Sequence, residues 1–133
     1  MKYLVDSDWI VDCLHGNKPA LDTLSRLAPN GLAVSIISVA EIYEGAYGQA
    51  DPDTRLRTFR TFLRAFSVLT LDDAIVERFA RIRSDLRRQG RAPTDFDLLI
   101  GATALEHGLI LLTRNVRHFA RIEALNIFDS PVR

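Results

Sequence analysis

Three carboxylate residues stand where predicted helices begin, and two of them follow predicted strands directly. Asp6 comes after an apolar run that ends at Val5, Glu41 follows the strand-like stretch LAVSI, and Asp97 follows a break at Pro93. If the three converge on one crevice, their mutual repulsion requires compensation, which a divalent cation supplies. Oxygen ligands without His or Cys partners favour Mg²⁺ or Mn²⁺ over zinc. The pattern is therefore compatible with a magnesium site.

Helix capping is the alternative interpretation of the same acids. Ser38 and Glu41 have the spacing of a capping box, and so do Thr94 and Asp97. Asp6 itself could cap a helix, and acids in a first turn also suit the helix dipole. Each such contact stabilises a helix by about 0.3–2 kcal/mol. Taken one at a time, these acids require no function.

Composition narrows the class of protein. The 133 residues fit one domain, 1–133, with 47% hydrophobic residues and a formal net charge of zero. A protein that coats nucleic acid non-specifically is strongly basic, so contact with nucleic acid would be local here. Cys13 is the single cysteine, which excludes an internal disulfide and fits a reducing compartment. Without an apolar run near 18 residues or a leader-like start, we expect a cytoplasmic protein with no membrane partner.

Strand-like and helix-like segments alternate along the chain. Strands are predicted at 2–5, 32–36, 68–71 and 109–112, with a further candidate at 127–128. Helices are predicted at 6–14, 19–27, 38–47, from Pro52 onward, from residue 72 or 73 to Gly90, and after Thr94 to His107, with a short turn or helix at 115–121. This alternation predicts an α/β fold with a mostly parallel sheet covered by helices. In such folds the working site lies beyond the carboxyl ends of the strands.

Four segments, in order, carry a resemblance to a known family. They are Val5–Asp6–Ser7–Asp8, then SVAEIYEG from Ser38, DLLIGATA from Asp97, and LTRNVRHF from Leu112. Together they resemble PIN-domain ribonucleases and, more narrowly, VapC toxins of toxin–antitoxin pairs. The resemblance implies a Rossmann-like, three-layer α/β/α sandwich and Mg²⁺-dependent cleavage of RNA. It also implies inhibition by a small antitoxin protein and assembly as a homodimer.

The resemblance also assigns roles to residues. Asp6, Glu41 and Asp97 match the family's three acids, which would be both catalytic and metal-binding. Ser7 takes the place of the hydroxyl residue that follows the first acid and is a candidate substrate contact. The family's Thr-x-Asn element corresponds to Thr113 and Asn115, beside the substrate.

One position departs from the family pattern. His118 stands where many members have a fourth acid, and it could be a surface residue, a weak metal ligand or a phosphate contact. Asp95 would compensate if it turned inward, although on a regular helix it points about 200° away from Asp97. Asp8 has the same difficulty relative to Asp6. Arg114 and Arg117 are candidate phosphate contacts or ordinary solvated arginines.

The expected mechanism is hydrolysis of an RNA phosphodiester by a metal-activated water, leaving a 5′-phosphate. Whether one or two ions bind is open.

An aromatic stripe within 37–66 would be part of the core or, where it is exposed, would form a groove for an antitoxin helix. Two rival interpretations remain. A degenerate PIN fold would bind RNA or protein without cutting, and Asp6-x-Asp8 also resembles the start of haloacid-dehalogenase-type phosphatases, although Ile10 departs from that motif.

Overall fold

Four short strands form a parallel sheet in the order β3-β2-β1-β4. The computed structural model describes residues 1–129. Central strand β1 pairs with both neighbours, with Tyr3 opposite Leu32 and Leu4 opposite Leu111. The strands are β1 Tyr3–Val5, β2 Leu32–Ser35, β3 Ser67–Leu69 and β4 Ile110–Leu112. The predicted parallel sheet is confirmed.

Helices cover both faces of this sheet. They are α1 Ser7–Leu14, α2 Lys18–Leu27, α3 Ile36–Tyr47, α4 Pro52–Leu63, α5 Asp73–Arg88, α6 Asp95–His107 and α7 Val116–Phe119, with a 3₁₀ turn at Ala28–Asn30. Because successive side chains of a strand point to opposite faces, Tyr3 and Val5 pack with residues of α1 to α4, whereas Leu4 packs with residues of α5 to α7. These two cores confirm the predicted three-layer α/β/α sandwich.

The start of α3 differs from the prediction. The helix begins at Ile36, two residues earlier than expected, because Ser35 ends β2 and its hydroxyl accepts a hydrogen bond from the Ile37 amide at 3.1 Å. Ser38 therefore lies inside the helix, fully buried, and its hydroxyl has no hydrogen-bond partner among residues 1–129. The capping box predicted from Ser38 and Glu41 is wrong.

The C-terminal segment adds to the edge of β4 without forming a full strand. Ile127 makes a single parallel bridge with Leu111, supported by a bond from the Leu111 amide to the Asn126 carbonyl at 2.9 Å. The strand predicted at 127–128 is reduced to this bridge. Within the part of the chain that the structure describes, no helix is long and apolar enough to cross a bilayer.

Candidate active site

Asp6 lies directly after central strand β1, at the carboxyl edge of the sheet. Its backbone is extended, its amide donates to the Leu112 carbonyl at 2.8 Å, and only 5% of its surface is exposed. One carboxylate oxygen accepts from the Ser7 amide at 2.8 Å, and the other accepts from the Thr113 hydroxyl at 2.6 Å. Asp6 therefore caps α1 and is also fixed to the segment after β4, so capping and site formation coexist in one residue.

Glu41 and Asp97 come from two other helices to the same pocket. The Ser7 hydroxyl donates to Oε1 of Glu41 at 3.3 Å, and the side-chain amide of Asn115 donates to Oδ2 of Asp97 at 3.3 Å. A pocket of about 300 Å³, which we call the acid pocket, is lined by Asp6, Ser7, Asp8, Glu41, Asp97, Arg114 and Asn115. The convergence of the three predicted acids thus occurs at the carboxyl ends of the strands, as expected for an α/β fold.

Asp8 joins this pocket, although its spacing from Asp6 argued against it. The Asp8 carboxylate folds back on the start of α1 and accepts from the Trp9 amide at 2.7 Å. Its other oxygen accepts from the Arg114 amide at 2.8 Å and lies 3.4 Å from the Thr113 hydroxyl. A regular helical position would point it away, but a side chain that bonds to its own first turn need not follow that direction. Asp8 ties α1 to the segment after β4.

Arg114 is held beside the acid pocket by two side chains of α1. Its guanidinium lies 4.1 Å from the centre of the Trp9 ring, and its Nε donates to Asp12 at 3.2 Å. Stacking on an aromatic ring and pairing with a carboxylate orient a guanidinium well. Arg117, in contrast, is exposed and does not line the pocket. Of the two arginines predicted to contact phosphate, the structure brings only Arg114 to the site.

His118 and Asp95 occupy different places from those expected of a fourth ligand. Nδ1 of His118 lies 2.9 Å from the Asn115 side-chain amide and 3.4 Å from Asp97, so the imidazole stands beside the pocket and contacts its Asp97–Asn115 pair. Asp95 pairs with Arg83 of α5 at 2.7 Å and does not line the pocket. Asp95 therefore does not turn inward, which was the condition for it to replace the fourth acid, because α6 already begins at this residue and the side chain pairs with α5.

Three carboxyl groups of the pocket, those of Asp6, Asp8 and Glu41, have raised pKa values. Burial raises the pKa of Asp6 to about 7, the negative charges of Asp8 and Glu41 add to the rise, and the bonds from Thr113 and Ser7 oppose it. Burial also raises the pKa of Asp8. The pKa of Glu41 is raised by burial and then by the charges of Asp97 and Asp8. A cation in the pocket would relieve this repulsion.

The donor set fits a hard divalent cation. It consists of carboxylate and hydroxyl oxygens, which Mg²⁺ and Mn²⁺ prefer. Among residues 1–129, no three acidic, His or Cys side chains form a ready-made metal cluster. Mg²⁺ usually keeps several waters and binds one or two carboxylates directly, so a spread set of acids remains a suitable site.

Comparison with known proteins defines the class. A family model described as "PIN domain" matches residues 3–125. The chain therefore belongs to the PIN-domain family, which rules out the phosphatase alternative. It is similar to Ribonuclease VapC2 of Haemophilus influenzae, with 32% identity over 127 residues that cover 94% of this chain and 95% of the relative. It is also 27% identical over 129 residues to the tRNA(fMet)-specific endonuclease VapC of Shigella flexneri, covering 97% and 98%.

Solved structures agree with this placement. The VapBC-1 structure from nontypeable Haemophilus influenzae superimposes with a TM-score of 0.86 at 30% identity, covering 97% of this chain and 98% of that one. VapBC2 from Rickettsia felis, bound to a DNA fragment from its promoter, gives a TM-score of 0.91 at 23% identity, covering 98% and 99%, which supports the fold alone. The resemblance found in the four sequence segments is confirmed.

Proposed function

We propose that this protein is a Mg²⁺-dependent endoribonuclease and the toxin of a toxin–antitoxin pair. The observation that carries the proposal is the acid pocket, where Asp6, Glu41 and Asp97 converge from three segments at the carboxyl edge of the sheet. The naming of its relatives as ribonucleases supports RNA as the substrate. Burying acids whose pKa values are raised is costly to the fold, and binding a cation would offset that cost.

Asp6, Glu41 and Asp97 are the residues that would hold the ion, Mg²⁺ or Mn²⁺ in its place. When bound, a divalent ion polarises a phosphoryl oxygen and lowers the pKa of a water, so that hydroxide becomes available near neutral pH. Attack by water, rather than by the ribose 2′-hydroxyl, leaves a 5′-phosphate on the product. The Asp8 carboxylate accepts hydrogen bonds from two backbone amides, those of Trp9 and Arg114, and so holds the segment after β4 against α1.

The remaining side chains hold these acids in position. Thr113 and the Ser7 amide fix both oxygens of Asp6, the Ser7 hydroxyl orients Glu41, and Asn115 orients Asp97. Such bonds fix ligand orientation before the substrate arrives, which is what catalysis by positioned charge requires. Arg114 places a permanent positive charge at the pocket wall, where it would bind a phosphate of the RNA.

A groove beside the acid pocket fits a protein partner. It encloses about 400 Å³ between α1, α3 and α4, and its apolar lining includes Val11, Leu14, Ile42, Ala46 and Phe59. Ser7 and Glu41 line both cavities. An amphipathic antitoxin segment in this groove would therefore end at the catalytic acids and block them. Assembly of the enzyme as a homodimer is part of the same proposal.

The decisive experiment is an RNA cleavage assay with purified protein, in Mg²⁺ and in EDTA. The RNA panel includes initiator tRNA, because the Shigella relative is named for it. We expect Mg²⁺-dependent products with 5′-phosphate ends. These products should be lost in Glu41→Gln and retained in Asp22→Asn, which alters an exposed acid that pairs with Lys18 and does not line the pocket. Equal cleavage by wild type and Glu41→Gln would indicate a contaminating nuclease. RNA binding without any cleavage would support the non-catalytic alternative.

A further inference from the structure

Most arginines of helix α5 are neutralised by carboxylates. Arg78 pairs with Glu106 at 2.5 Å, Arg81 pairs with Glu77 at 2.6 Å, and Arg83 and Arg88 also have acidic partners. This pairing leaves little positive charge on α5. A chain of zero net charge that binds a polyanion such as RNA needs a local cluster of unpaired cations, and here that cluster must lie outside α5.

Helix α4 and the residue that caps its C-terminus carry arginines without such partners. Arg57, Arg60 and Arg64, which we call the α4 stripe, are exposed and spaced by three and four residues. They therefore share one face of the helix and span about 10 Å along its axis. None of these three arginines has a carboxylate oxygen within 4 Å in residues 1–129.

The contacts of the α4 stripe leave its charge available. Nη2 of Arg57 donates to the Thr54 hydroxyl at 3.2 Å, and the Arg60 guanidinium lies 5.4 Å from the centre of the Tyr43 ring. Asp51 and Asp53 are the acids at the start of α4. Hydrogen bonds from Thr54 are the main cause that lowers the pKa of Asp51, and the charges of Arg57 and Arg55 add to it. Neither acid forms an ion pair with the three arginines.

An aromatic side chain lies next to this stripe. The chain turns back over 48–51, and Tyr43 of α3 contacts both Phe59 and Arg60 of α4, so the two helices pack side by side as a hairpin. Tyr47 lies one turn after Tyr43 on the same face of α3 and is 66% exposed. Tyr43 contacts Arg60 directly, and Tyr47 continues the same face of α3 as an exposed ring. Proteins that bind single-stranded nucleic acid combine aromatic rings with positive charge in this way.

We propose that the α4 stripe and Tyr47 bind a single-stranded stretch of RNA outside the acid pocket, with the arginines on phosphates and the tyrosine stacked on a base. This inference rests on the proposed function and names a second contact region for the same substrate. Helix α3 connects the two, because Glu41 of the acid pocket precedes Tyr43 by two residues. The apolar groove is lined by a different side of α4, Thr54, Thr58 and Phe59, and stays available for a protein partner.

The first test compares two triple variants of equal charge. Both are made with Asp97→Asn, which prevents cleavage: Arg57→Gln/Arg60→Gln/Arg64→Gln removes the α4 stripe, and Arg78→Gln/Arg81→Gln/Arg88→Gln removes paired arginines of α5. Binding of a fluorescein-labelled single-stranded RNA of mixed sequence is measured by anisotropy at several KCl concentrations. Each lost phosphate contact lowers the slope of log affinity against log salt by about 0.7. We expect the α4 variant to lose about 2 from that slope and the α5 control to lose less than about 0.5.

Several results would overturn the inference. An unchanged slope in the α4 variant, or an equal loss in both variants, would show that the stripe makes no specific RNA contact. A change in size-exclusion behaviour with wild-type RNA affinity would identify the stripe as a protein interface. Thermal melts of each variant establish that it is folded before binding is compared.

Tyr47 gives an independent test that does not depend on net charge. Tyr47→Ala should weaken RNA binding roughly tenfold, and Tyr47→Phe should retain it, since stacking needs the ring and not the hydroxyl. Equal binding by wild type and Tyr47→Ala would refute stacking. In the background that retains Asp97, cleavage in Mg²⁺ tests the proposed function separately. Cleavage that is unaffected by the stripe variant overturns only this inference, whereas stripe-dependent binding without cleavage overturns only the nuclease proposal.

Discussion

Replacing Asp6 by Asn should stabilise the fold at neutral pH while it destroys activity. In the absence of metal, burial and neighbouring acids raise the pKa of Asp6 from 3.8 to about 7. A raised carboxyl pKa means that the folded state favours the neutral acid. The unfolded chain ionises near pH 4 and the folded protein only near pH 7, so the stability of the wild type falls as pH rises between these values and is constant above.

The size of the effect follows from that interval. A rise of about 3 pKa units corresponds to about 4 kcal/mol, at roughly 1.4 kcal/mol per unit. Asn keeps one oxygen for the Ser7 amide but cannot accept from the Thr113 hydroxyl with the other atom. That hydroxyl can turn towards Asp8, 3.4 Å away, and we take the cost of the exchange as about 1 kcal/mol. The expected net gain at pH 8 is therefore about 2–3 kcal/mol.

Urea unfolding of wild type and Asp6→Asn in EDTA, at intervals from pH 4 to pH 8, measures this directly. The stability difference should grow with pH up to about 7 and then level off. Asp22→Asn, which alters an exposed carboxylate, is the matched control and should change stability by less than about 0.5 kcal/mol at every pH. A difference that does not vary with pH, or an Asp6→Asn protein less stable at pH 8, would refute the reasoning. Added Mg²⁺ should stabilise the wild type and not Asp6→Asn.

Four further outcomes follow from the site. Asp97→Asn should abolish Mg²⁺-dependent cleavage in a folded protein, and near-wild-type activity would remove Asp97 from the site. Asp95→Asn should leave the Mg²⁺ concentration for half-maximal cleavage unchanged within twofold, because its carboxylate pairs with an arginine of α5; a raised requirement would show that it reaches the metal. Arg114→Gln should raise the KM for RNA roughly tenfold without shifting the Mg²⁺ titration, whereas Arg117→Gln, at an exposed position, should change neither. Equal effects of the two variants would contradict the assignment of Arg114 as the phosphate contact. Mg²⁺ binding at pH 6 to 7 should release protons, since it requires ionised Asp6; calorimetric enthalpies that are identical in two buffers of different ionisation enthalpy would argue against this.

Sequence patterns predicted the fold well because they report local physics. Alternating apolar segments placed all four strands, and Asp72, Thr94 and Gly108 marked helix ends where the structure has caps. The error at Ser38 has a physical cause. Ser35 and Ser38 both fit a cap and both are fully buried, so the choice between them depends on where the pairing of β2 with β3 ends, a tertiary effect that local spacing does not contain.

The site was predictable to the extent that strand ends determine it. Asp6, Glu41 and Asp97 converge because each follows a strand or break at the same edge. The directions of the Asp8 and Asp95 side chains were harder to predict, because helical geometry gives the direction of the Cβ atom and not the rotamer beyond it. A partner at Arg114 draws Asp8 inward, and Arg83 draws Asp95 outward. Both partners lie more than ten residues away in sequence.

The bond between Asp6 and Thr113 joins residues 107 positions apart and has a consequence for synthesis. Strand β1 is the first of the four described strands to leave the ribosome, but it is central in the sheet, and its second neighbour, β4, is the last of the four to emerge. Until then Asp6 lacks the Thr113 hydroxyl and the Leu112 carbonyl that hold it. We therefore expect a nascent chain that ends before Thr113 to lack the proposed nuclease activity. The order of strands delays completion of the acid pocket until β4 and the segment after it have been synthesised.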